Sequence, residues 1–171
     1  LLPYMLAGTY WFFNIFGDFN IEFAGAVFPV IMFGLTIIVF FLFVREIFVR
    51  ESDSESSKTK ANIIALISSF LMIVIPVFLS RTVAGIPEKE SAGFFFMFLA
   101  FYLFLKAWKS PRLKGYLGFG IGTGIATALM SLIWGGVSYI FVTVAVSSLI
   151  AFLLNKVRGK EFIIYSSWIL V

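Results

Sequence analysis

Four charged side chains lie within ten positions of one another in the stretch FLSRTVAGIPEKESAGFF, residues 78–95: Arg81, Glu88, Lys89 and Glu90. Carboxylates at positions i and i+2 of an extended backbone point to the same side, where they can converge on one divalent cation. Mg²⁺ and Mn²⁺ prefer oxygen ligands and commonly take one or two protein carboxylates together with phosphate oxygens. An arginine pairs with a carboxylate or binds a phosphate bidentately. These residue types predict a metal site at Glu88 and Glu90 with Arg81 as the phosphate-binding group.

The same stretch also fits the start of a helix. Pro87 would take the first helical position, and acidic residues in the first turn are favoured by the helix dipole. In that interpretation Arg81 extends towards water or pairs with a glutamate, and no metal is needed. The residues alone leave both interpretations open.

The composition places this stretch in a membrane protein. The chain has 171 residues, 61% hydrophobic and 13% charged, with 23 phenylalanines and a mean hydropathy of +1.04. A soluble domain has about 25% charged residues. Roughly 20 apolar residues cross the hydrocarbon core of a bilayer, and several runs approach that length. We therefore expect an all-α polytopic membrane protein, a multi-helix transmembrane bundle.

Histidine and cysteine are absent from the sequence. Within these residues this excludes disulfides, thiol chemistry, zinc sites of the Cys/His type and catalytic triads that use histidine. The net charge of +4 does not indicate a nucleic acid partner, because the basic residues lie between apolar runs, where they set membrane topology.

The hydrophobic pattern divides residues 1–171 into segments of one transmembrane domain. Residues 1–20 are typical of an external interfacial or re-entrant helix that ends in a turn. Membrane helices are expected at about 23–44, 61–79, 92–108, 115–134 and 137–154, with the start of another at 162–171. In the fourth of these, the pairs Gly118/Gly122 and Gly120/Gly124 have the four-residue spacing that lets helix backbones approach closely.

The distribution of lysine and arginine predicts the orientation. Links 45–60, 106–114 and 155–161 carry four, four and three basic residues, whereas links 80–91 and 134–139 carry two and none. Since cytoplasmic loops are enriched in lysine and arginine, the first three links are expected in the cytoplasm and the other two outside. The acidic residues of the first link, Glu46, Glu51, Asp53 and Glu55, are then expected in a solvated loop.

Three segments resemble the catalytic subunit of oligosaccharyltransferase, the membrane enzyme of asparagine-linked glycosylation. Residues 80–90 are similar to the second acidic motif of that family, S-R-[ST]-[VM]-[AS]-G-x-x-[DE]-x-[DEH], which lies in a short external loop. Residues 131–142, SLIWGGVSYIFV, are similar to its S-x-W-G-G-Y-x-F turn. Residues 6–36 look like the region that joins its first external loop to the following helix. The order, spacing and sidedness of these motifs agree with the topology predicted from the lysine and arginine distribution. The resemblance spans essentially the whole chain.

The resemblance implies a C-type (GT-C) glycosyltransferase that moves an oligosaccharide from a dolichol-linked phosphate or diphosphate to the asparagine of an Asn-x-Ser/Thr sequon. Glu88 matches the acidic metal ligand, Glu90 the second acidic position and Arg81 the arginine beside them. Glu88 stands where aspartate is typical of the family, and its extra methylene carries the carboxylate further from the backbone. Trp134 matches the motif tryptophan, for which we expect a structural role.

The implied cofactor is Mn²⁺ or Mg²⁺. The implied partners are a lipid-linked oligosaccharide donor, an acceptor polypeptide with a sequon, and membrane lipids. The protein is expected to be a multi-pass integral protein of the cell membrane, archaeal-like, with its active site on the external face. The first acidic motif of the family and its C-terminal soluble domain are not found in the sequence, so residues 1–171 are expected to be an inactive internal fragment.

Three other functions are compatible with a chain of this composition. Another polyprenyl-phosphate-dependent glycosyltransferase, such as a protein O-mannosyltransferase, also uses external acidic residues, but the R-[ST]-V-A-G segment together with W-G-G favours oligosaccharyltransferase. A transporter often places ionisable groups near the middle of the membrane, whereas the charges here lie at the ends of the spans. A non-catalytic membrane scaffold is the third.

Overall fold

The computed structural model describes residues 1–49 and 54–171, and these fold into α-helices joined by short links. The helices are α1 Leu2–Asn14, α2 Ile21–Phe48, α3 Glu55–Val74, α4 Pro76–Ser80, α5 Lys89–Lys109, α6 Leu113–Ser131, α7 Ser138–Leu153 and α8 Gly159–Ile169. A 3-10 turn, Gly135–Val137, leads into α7. In the described part of the chain, four segments are long and apolar enough to cross a membrane: α2, α3, α5 and Gly135–Leu153. The prediction of an all-α polytopic membrane protein is confirmed.

The second helix is longer than the predicted span 23–44. It begins at Ile21 because the side chain of Asn20 accepts a hydrogen bond from the backbone N–H of Phe23 at 2.8 Å and caps the helix. It continues to Phe48, well beyond the apolar run. Pro29 lies inside the helix without ending it, as membrane helices allow.

The predicted span 61–79 consists of two helices. The first, α3, begins at Glu55 because the Ser54 side chain accepts a hydrogen bond from the backbone N–H of Ser57 at 3.3 Å. It ends before Ile75, whose backbone is extended (φ −69°, ψ 120°), since a residue that precedes proline avoids the helical region. Pro76 then starts the short helix α4.

Two glycines of α6, Gly120 and Gly124, lie at the contact with α8. A Cβ atom on Gly124 would lie 2.7 Å from Cβ of Val171 and 2.9 Å from the carbonyl oxygen of Trp168. Gly120 faces the same helix next to Ser167. The predicted close approach of helix backbones is therefore found for the pair Gly120/Gly124. It is not found for Gly118/Gly122, because a Cβ atom on Gly118 would meet nothing within 4 Å and one on Gly122 would meet only the side chain of Leu103. Although 115–134 was predicted as a membrane span, α6 is not among the four apolar segments, because glycine and threonine make it less apolar.

The ends of α2 and α5 meet at one end of the bundle, which we call the basic end. Lys109 of α5 donates hydrogen bonds to the carbonyls of Glu46 and Val49 at the end of α2. Lys160 of α8 donates to the carbonyl of Trp108 in the last turn of α5 at 2.6 Å. The three links rich in lysine and arginine thus share this end.

Glu46 corrects one expectation from the sequence. It does not lie in a solvated loop but is 8% exposed within α2, with Oε2 3.3 Å from Nζ of Lys106. Glu55 is exposed as predicted. Glu51 and Asp53 lie outside the residues that the structure describes.

The opposite end of the bundle holds the two links poor in basic residues. The backbone N–H of Gly85 donates to the carbonyl of Ala26 in α2 at 3.1 Å. The rings of Phe94 in α5 and Trp134 lie edge to face, with centroids 5.7 Å apart. Links 80–91 and 134–139 therefore lie side by side, at the end away from most of the lysines and arginines.

Candidate functional site

The loop that carries Arg81 is held by local hydrogen bonds. Arg81 follows the last turn of α4, and its backbone N–H donates to the carbonyl of Phe78 at 3.3 Å. The hydroxyl of the buried Thr82 donates to the same carbonyl at 2.9 Å. The start of the loop is thereby fixed to α4.

Gly85 turns the chain towards α5. Its φ of +90° lies in a region that side-chain-bearing residues rarely adopt. The hydrogen bond from Gly85 to Ala26 ties this turn to α2. This accounts for a glycine in the S-R-T-V-A-G segment on conformational grounds.

Arg81 and Glu88 form an ion pair across the loop. Nη1 of Arg81 lies 2.9 Å from Oε2 of Glu88, and the two side chains are 48% and 30% exposed. The hydrogen bond that Arg81 donates to Glu88, followed by the negative charge of Glu88, raises the pKa of the Arg81 guanidinium above its ordinary value, and the charge of Glu90 adds to this effect. The guanidinium therefore stays charged and is held over the start of α5.

Glu88 and Glu90 do not share an extended backbone. Glu88 is extended (φ −73°, ψ 145°) and is the N-terminal cap residue of α5, whereas Glu90 lies in the first helical turn. The geometric assumption behind the paired-carboxylate interpretation is therefore wrong, and the interpretation as a helix start is correct in outline. Pro87 lies just before the cap rather than at the first helical position.

Glu90 borders a cavity of about 520 Å³ that also contains Arg81. Trp134, Tyr139 and Thr143 also line this cavity. Phe94, Met97, Phe101 and Val77 complete the lining. The charged loop thus opens onto an aromatic cavity between α5 and the turn that leads into α7.

Trp134 is fixed by its glycine neighbours. A Cβ atom on Gly93 would lie 2.7 Å from Cε3 of the indole, and one on Gly136 would lie 2.5 Å from the same atom. The ring also packs against Tyr139, with centroids 6.1 Å apart. These contacts hold the indole in place as part of the cavity lining. They agree with the structural role expected for Trp134.

The acidic residues available for a metal are few. Within residues 1–49 and 54–171, no group of three or more histidine, cysteine, aspartate or glutamate side chains could hold a metal ion. The carboxylate of Glu88 is paired with Arg81, while no hydrogen bond or ion pair to the side chain of Glu90 is found in the same residues. A cation here would need ligands from its substrate or from water.

Two polar residues of the cavity were not predicted from the sequence. Tyr139 and Thr143 lie on α7, far along the chain from the charged loop. They reach the site only because α7 packs beside α5. The only available signal was that Tyr139 lies within the segment similar to the family turn.

A bundle with several membrane-spanning helices and a charged loop at one end defines a multi-pass membrane protein, built like the membrane part of C-type glycosyltransferases. The chain belongs to the family described as "Oligosaccharyl transferase STT3, N-terminal", which matches residues 1–170.

Two plant proteins are similar to a shorter part of the chain than the family model matches. Subunit STT3B of dolichyl-diphosphooligosaccharide--protein glycosyltransferase from Arabidopsis thaliana is 28% identical over 101 residues, which is 59% of this chain and 13% of the plant protein. The subunit of the same name from Oryza sativa subsp. japonica is 26% identical over 102 residues, or 60% of this chain and 14% of the relative. The matched part of the chain therefore spans only a small part of the length of these relatives.

Proposed function

We propose that the protein transfers an oligosaccharide from a dolichol-linked phosphate or diphosphate to the asparagine side chain of an Asn-x-Ser/Thr sequon in an acceptor polypeptide. Membership of the family supports the reaction class. The names of the two relatives mention a dolichyl diphosphooligosaccharide donor and a protein acceptor. The observation that carries the proposal is the charged group of Arg81, Glu88 and Glu90 beside an aromatic cavity.

Arg81 is proposed to bind the phosphate of the donor. Its contact with Glu88 uses one of several N–H donors of the guanidinium, so others remain for phosphate oxygens. Because the neighbouring carboxylates raise its pKa, it remains cationic while negative charge develops on the leaving phosphate. This role places the donor headgroup in the cavity that Arg81 shares with Glu90.

Glu88 and Glu90 are proposed to hold the divalent cation, Mn²⁺ or Mg²⁺, that the family resemblance implies. Two carboxylates are enough for a cation that takes its remaining ligands from phosphate and water. Here one would come from the cap residue and the other from the first turn of α5, instead of from a shared extended backbone. Glu90 is the more available ligand, whereas Glu88 would share its carboxylate with Arg81. When bound, the cation would neutralise charge on the phosphate leaving group. We further propose that this end of the bundle faces the outside of the cell.

The test is glycosylation of a sequon peptide by the purified protein in its full natural length, with native lipid-linked donor and Mn²⁺. Arg81→Ala, Glu88→Gln and Glu90→Gln are compared with the wild type at matched expression. We expect each to lose most of the activity, with partial recovery of the glutamate variants at higher metal concentration. Glu90→Gln should respond more to metal than Glu88→Gln.

Lys89→Gln is the matched control. Lys89 is exposed and lies between the two glutamates, so its substitution changes the charge of the loop without touching the group. Its activity should equal that of the wild type. Near-wild-type rates for all three site variants would refute the assignment of the site, and failure of the wild type to modify the sequon peptide would refute the reaction itself.

A further inference from the structure

A buried hydroxyl lies next to the charged group of the candidate site. Ser91 is in the first turn of α5, directly after Glu90, and is 0% exposed. Its Oγ donates a hydrogen bond to the backbone carbonyl of Glu88 at 2.7 Å, the one partner found for this hydroxyl within residues 1–49 and 54–171. Because a hydroxyl kept from water is costly without a partner, the folded protein should retain this contact.

The backbone of Glu88 is held on both sides. Its N–H donates to the carbonyl of Ile86 at 2.8 Å. Its carbonyl accepts from the backbone N–H of Ser91 at 3.2 Å as well as from the Ser91 hydroxyl. The backbone bond from Ser91 spans three residues, as in a 3-10 helix, which makes the first turn of α5 tight. These contacts together fix the direction in which the Glu88 side chain leaves the backbone.

The carboxylate of Glu88 is not used to cap α5. A side chain at the cap position commonly accepts a hydrogen bond from the N–H of the second or third helical residue. In the described part of the chain Glu88 makes no such bond, and the N–H of the third helical residue, Ser91, is directed at the Glu88 carbonyl. The carboxylate reaches Arg81 instead, at 2.9 Å. The tight first turn thus leaves this carboxylate available to the candidate site.

We infer that Ser91 is a positioning residue, whose hydroxyl holds the Glu88 carbonyl and thereby keeps the Glu88 carboxylate turned towards Arg81 and out of the helix cap. The inference rests on the proposed function, in which Glu88 and Glu90 hold a divalent cation. Ser91 itself touches neither the cation nor the donor, because its hydroxyl is directed at the backbone. Groups that orient metal ligands in this way strongly affect metal affinity.

Binding of Mn²⁺ to the full natural-length protein tests the inference. It is measured by electron paramagnetic resonance with saturating native lipid-linked donor and without acceptor peptide, so that no transfer to peptide takes place. Ser91→Ala removes the hydroxyl and puts a strong helix former in its place. We expect Ser91→Ala to bind Mn²⁺ about tenfold more weakly than the wild type.

Ser167→Ala is the matched control. The Oγ of Ser167 also donates to a backbone carbonyl three residues earlier, that of Ile164 in α8, at 2.9 Å. The described lining residues of the candidate cavity include none from α8, so this variant should bind Mn²⁺ like the wild type. The two variants should melt at similar temperatures, since each loses one bond of the same kind. Equal Mn²⁺ affinity in both would overturn the inference, and so would a far lower melting temperature for Ser91→Ala, which would make Ser91 a structural residue.

A double variant shows whether Ser91 acts through Glu88. In the Glu88→Gln protein the carboxylate is already lost, so adding Ser91→Ala should weaken Mn²⁺ binding no further. A further loss in the double variant would overturn the inference, because Ser91 would then act through another part of the site.

The wild type separates this inference from the function on which it rests. Failure of the wild type to bind Mn²⁺ in the presence of donor would refute the proposed cation at Glu88 and Glu90, and the role of Ser91 with it. Binding by the wild type together with unchanged binding by Ser91→Ala would refute the role of Ser91 alone.

Discussion

The indole of Trp134 fills the space in which a side chain on Gly93 would begin, since a Cβ atom built there would lie 2.7 Å from Cε3 of the ring. Gly93 lies in the first part of α5, a few residues after Glu88, and Trp134 lies in the turn before α7. The start of α5 and this turn can therefore approach closely only while position 93 lacks a side chain. The wall of the candidate site depends on this approach.

Alanine at either glycine that contacts the ring should destabilise the protein. Gly93→Ala and Gly136→Ala are each expected to cost about 1–3 kcal/mol in the free energy of unfolding, the usual effect of overpacking. The control is Gly135→Ala, because a Cβ atom there meets nothing within 4 Å. Thermal melting in detergent measures the difference. A Gly136→Ala protein that melts like the Gly135→Ala protein would mean that the indole can move aside.

Removing the charge of Arg81 should leave the stability of the protein almost unchanged. The ion pair with Glu88 is exposed to water and therefore contributes little to folding. We expect Arg81→Gln to melt within error of the wild type while losing activity, which separates a functional role from a structural one. A large drop in melting temperature would instead make the pair a structural element of the loop.

The contribution of Arg81 to stability through this pair should not change with pH in the ordinary range. The pKa of Arg81 is raised in the folded protein, so its contribution is fully present below the ordinary arginine pKa and is lost only as the pH rises beyond it. The difference in melting temperature between wild type and Arg81→Gln should be the same at about pH 6 and about pH 9. A difference that changed between these values would point to titration of another group at the site.

How much of the site the sequence predicts depends on which contacts are local. Arg81 and Glu88 are close in the chain, and their pairing was one of the alternatives that the sequence allowed. The backbone between Glu88 and Glu90 was harder to predict, because helix initiation and an extended metal-binding loop use the same residues. The position of Tyr139 was not predictable, since it depends on how α7 packs against α5.

The contact between α6 and α8 should depend on Gly124. Alanine there would bring a Cβ atom within 2.9 Å of the backbone carbonyl of Trp168, and backbone cannot move as easily as a side chain. We expect Gly124→Ala to cost about 1–3 kcal/mol of unfolding free energy, seen as a lower melting temperature. Gly118→Ala is the control, since its Cβ would meet nothing within 4 Å. Equal melting of the two variants would contradict the close approach.

A buried hydrogen bond secures the same interface. Nε1 of Trp168 donates to the hydroxyl of Thr127 at 3.0 Å, and both residues are buried. Thr127→Val leaves the indole N–H without this acceptor and should cost about 1–3 kcal/mol, measured by thermal melting. Thr127→Ser should restore most of the loss.

Thr123→Val is the control for that experiment. Thr123 is equally buried, but its hydroxyl donates to the carbonyl of Phe119 in its own helix. Valine at this position removes a bond within one helix and should cost less than the loss of the bond between helices. If Thr123→Val and Thr127→Val were equally destabilised, the hydrogen bond to Trp168 would contribute no more to stability than a hydrogen bond within one helix.

The fold was predictable where apolar length decides the structure, and less so where capping does. The start of α3 at Glu55 depends on Ser54, and its end depends on Pro76, so hydropathy alone placed both boundaries wrongly. The burial of Glu46 was missed because its partners lie in α5. A carboxylate at the end of an apolar run looks solvated until the helix that carries its lysine is placed beside it.

The lysines at the basic end also give the bundle an order of completion during synthesis. Lys109, which bonds to the last carbonyls of α2, emerges from the ribosome 60 residues after Val49. Lys160 bonds to the carbonyl of Trp108 at the end of α5 and emerges 52 residues after it. The contact of Lys109 with the end of α2 is possible only after α5 has been made, and the contact of Lys160 with the end of α5 only after α8 has begun. These two contacts therefore become possible in chain order during synthesis, the one at α2 before the one at α5.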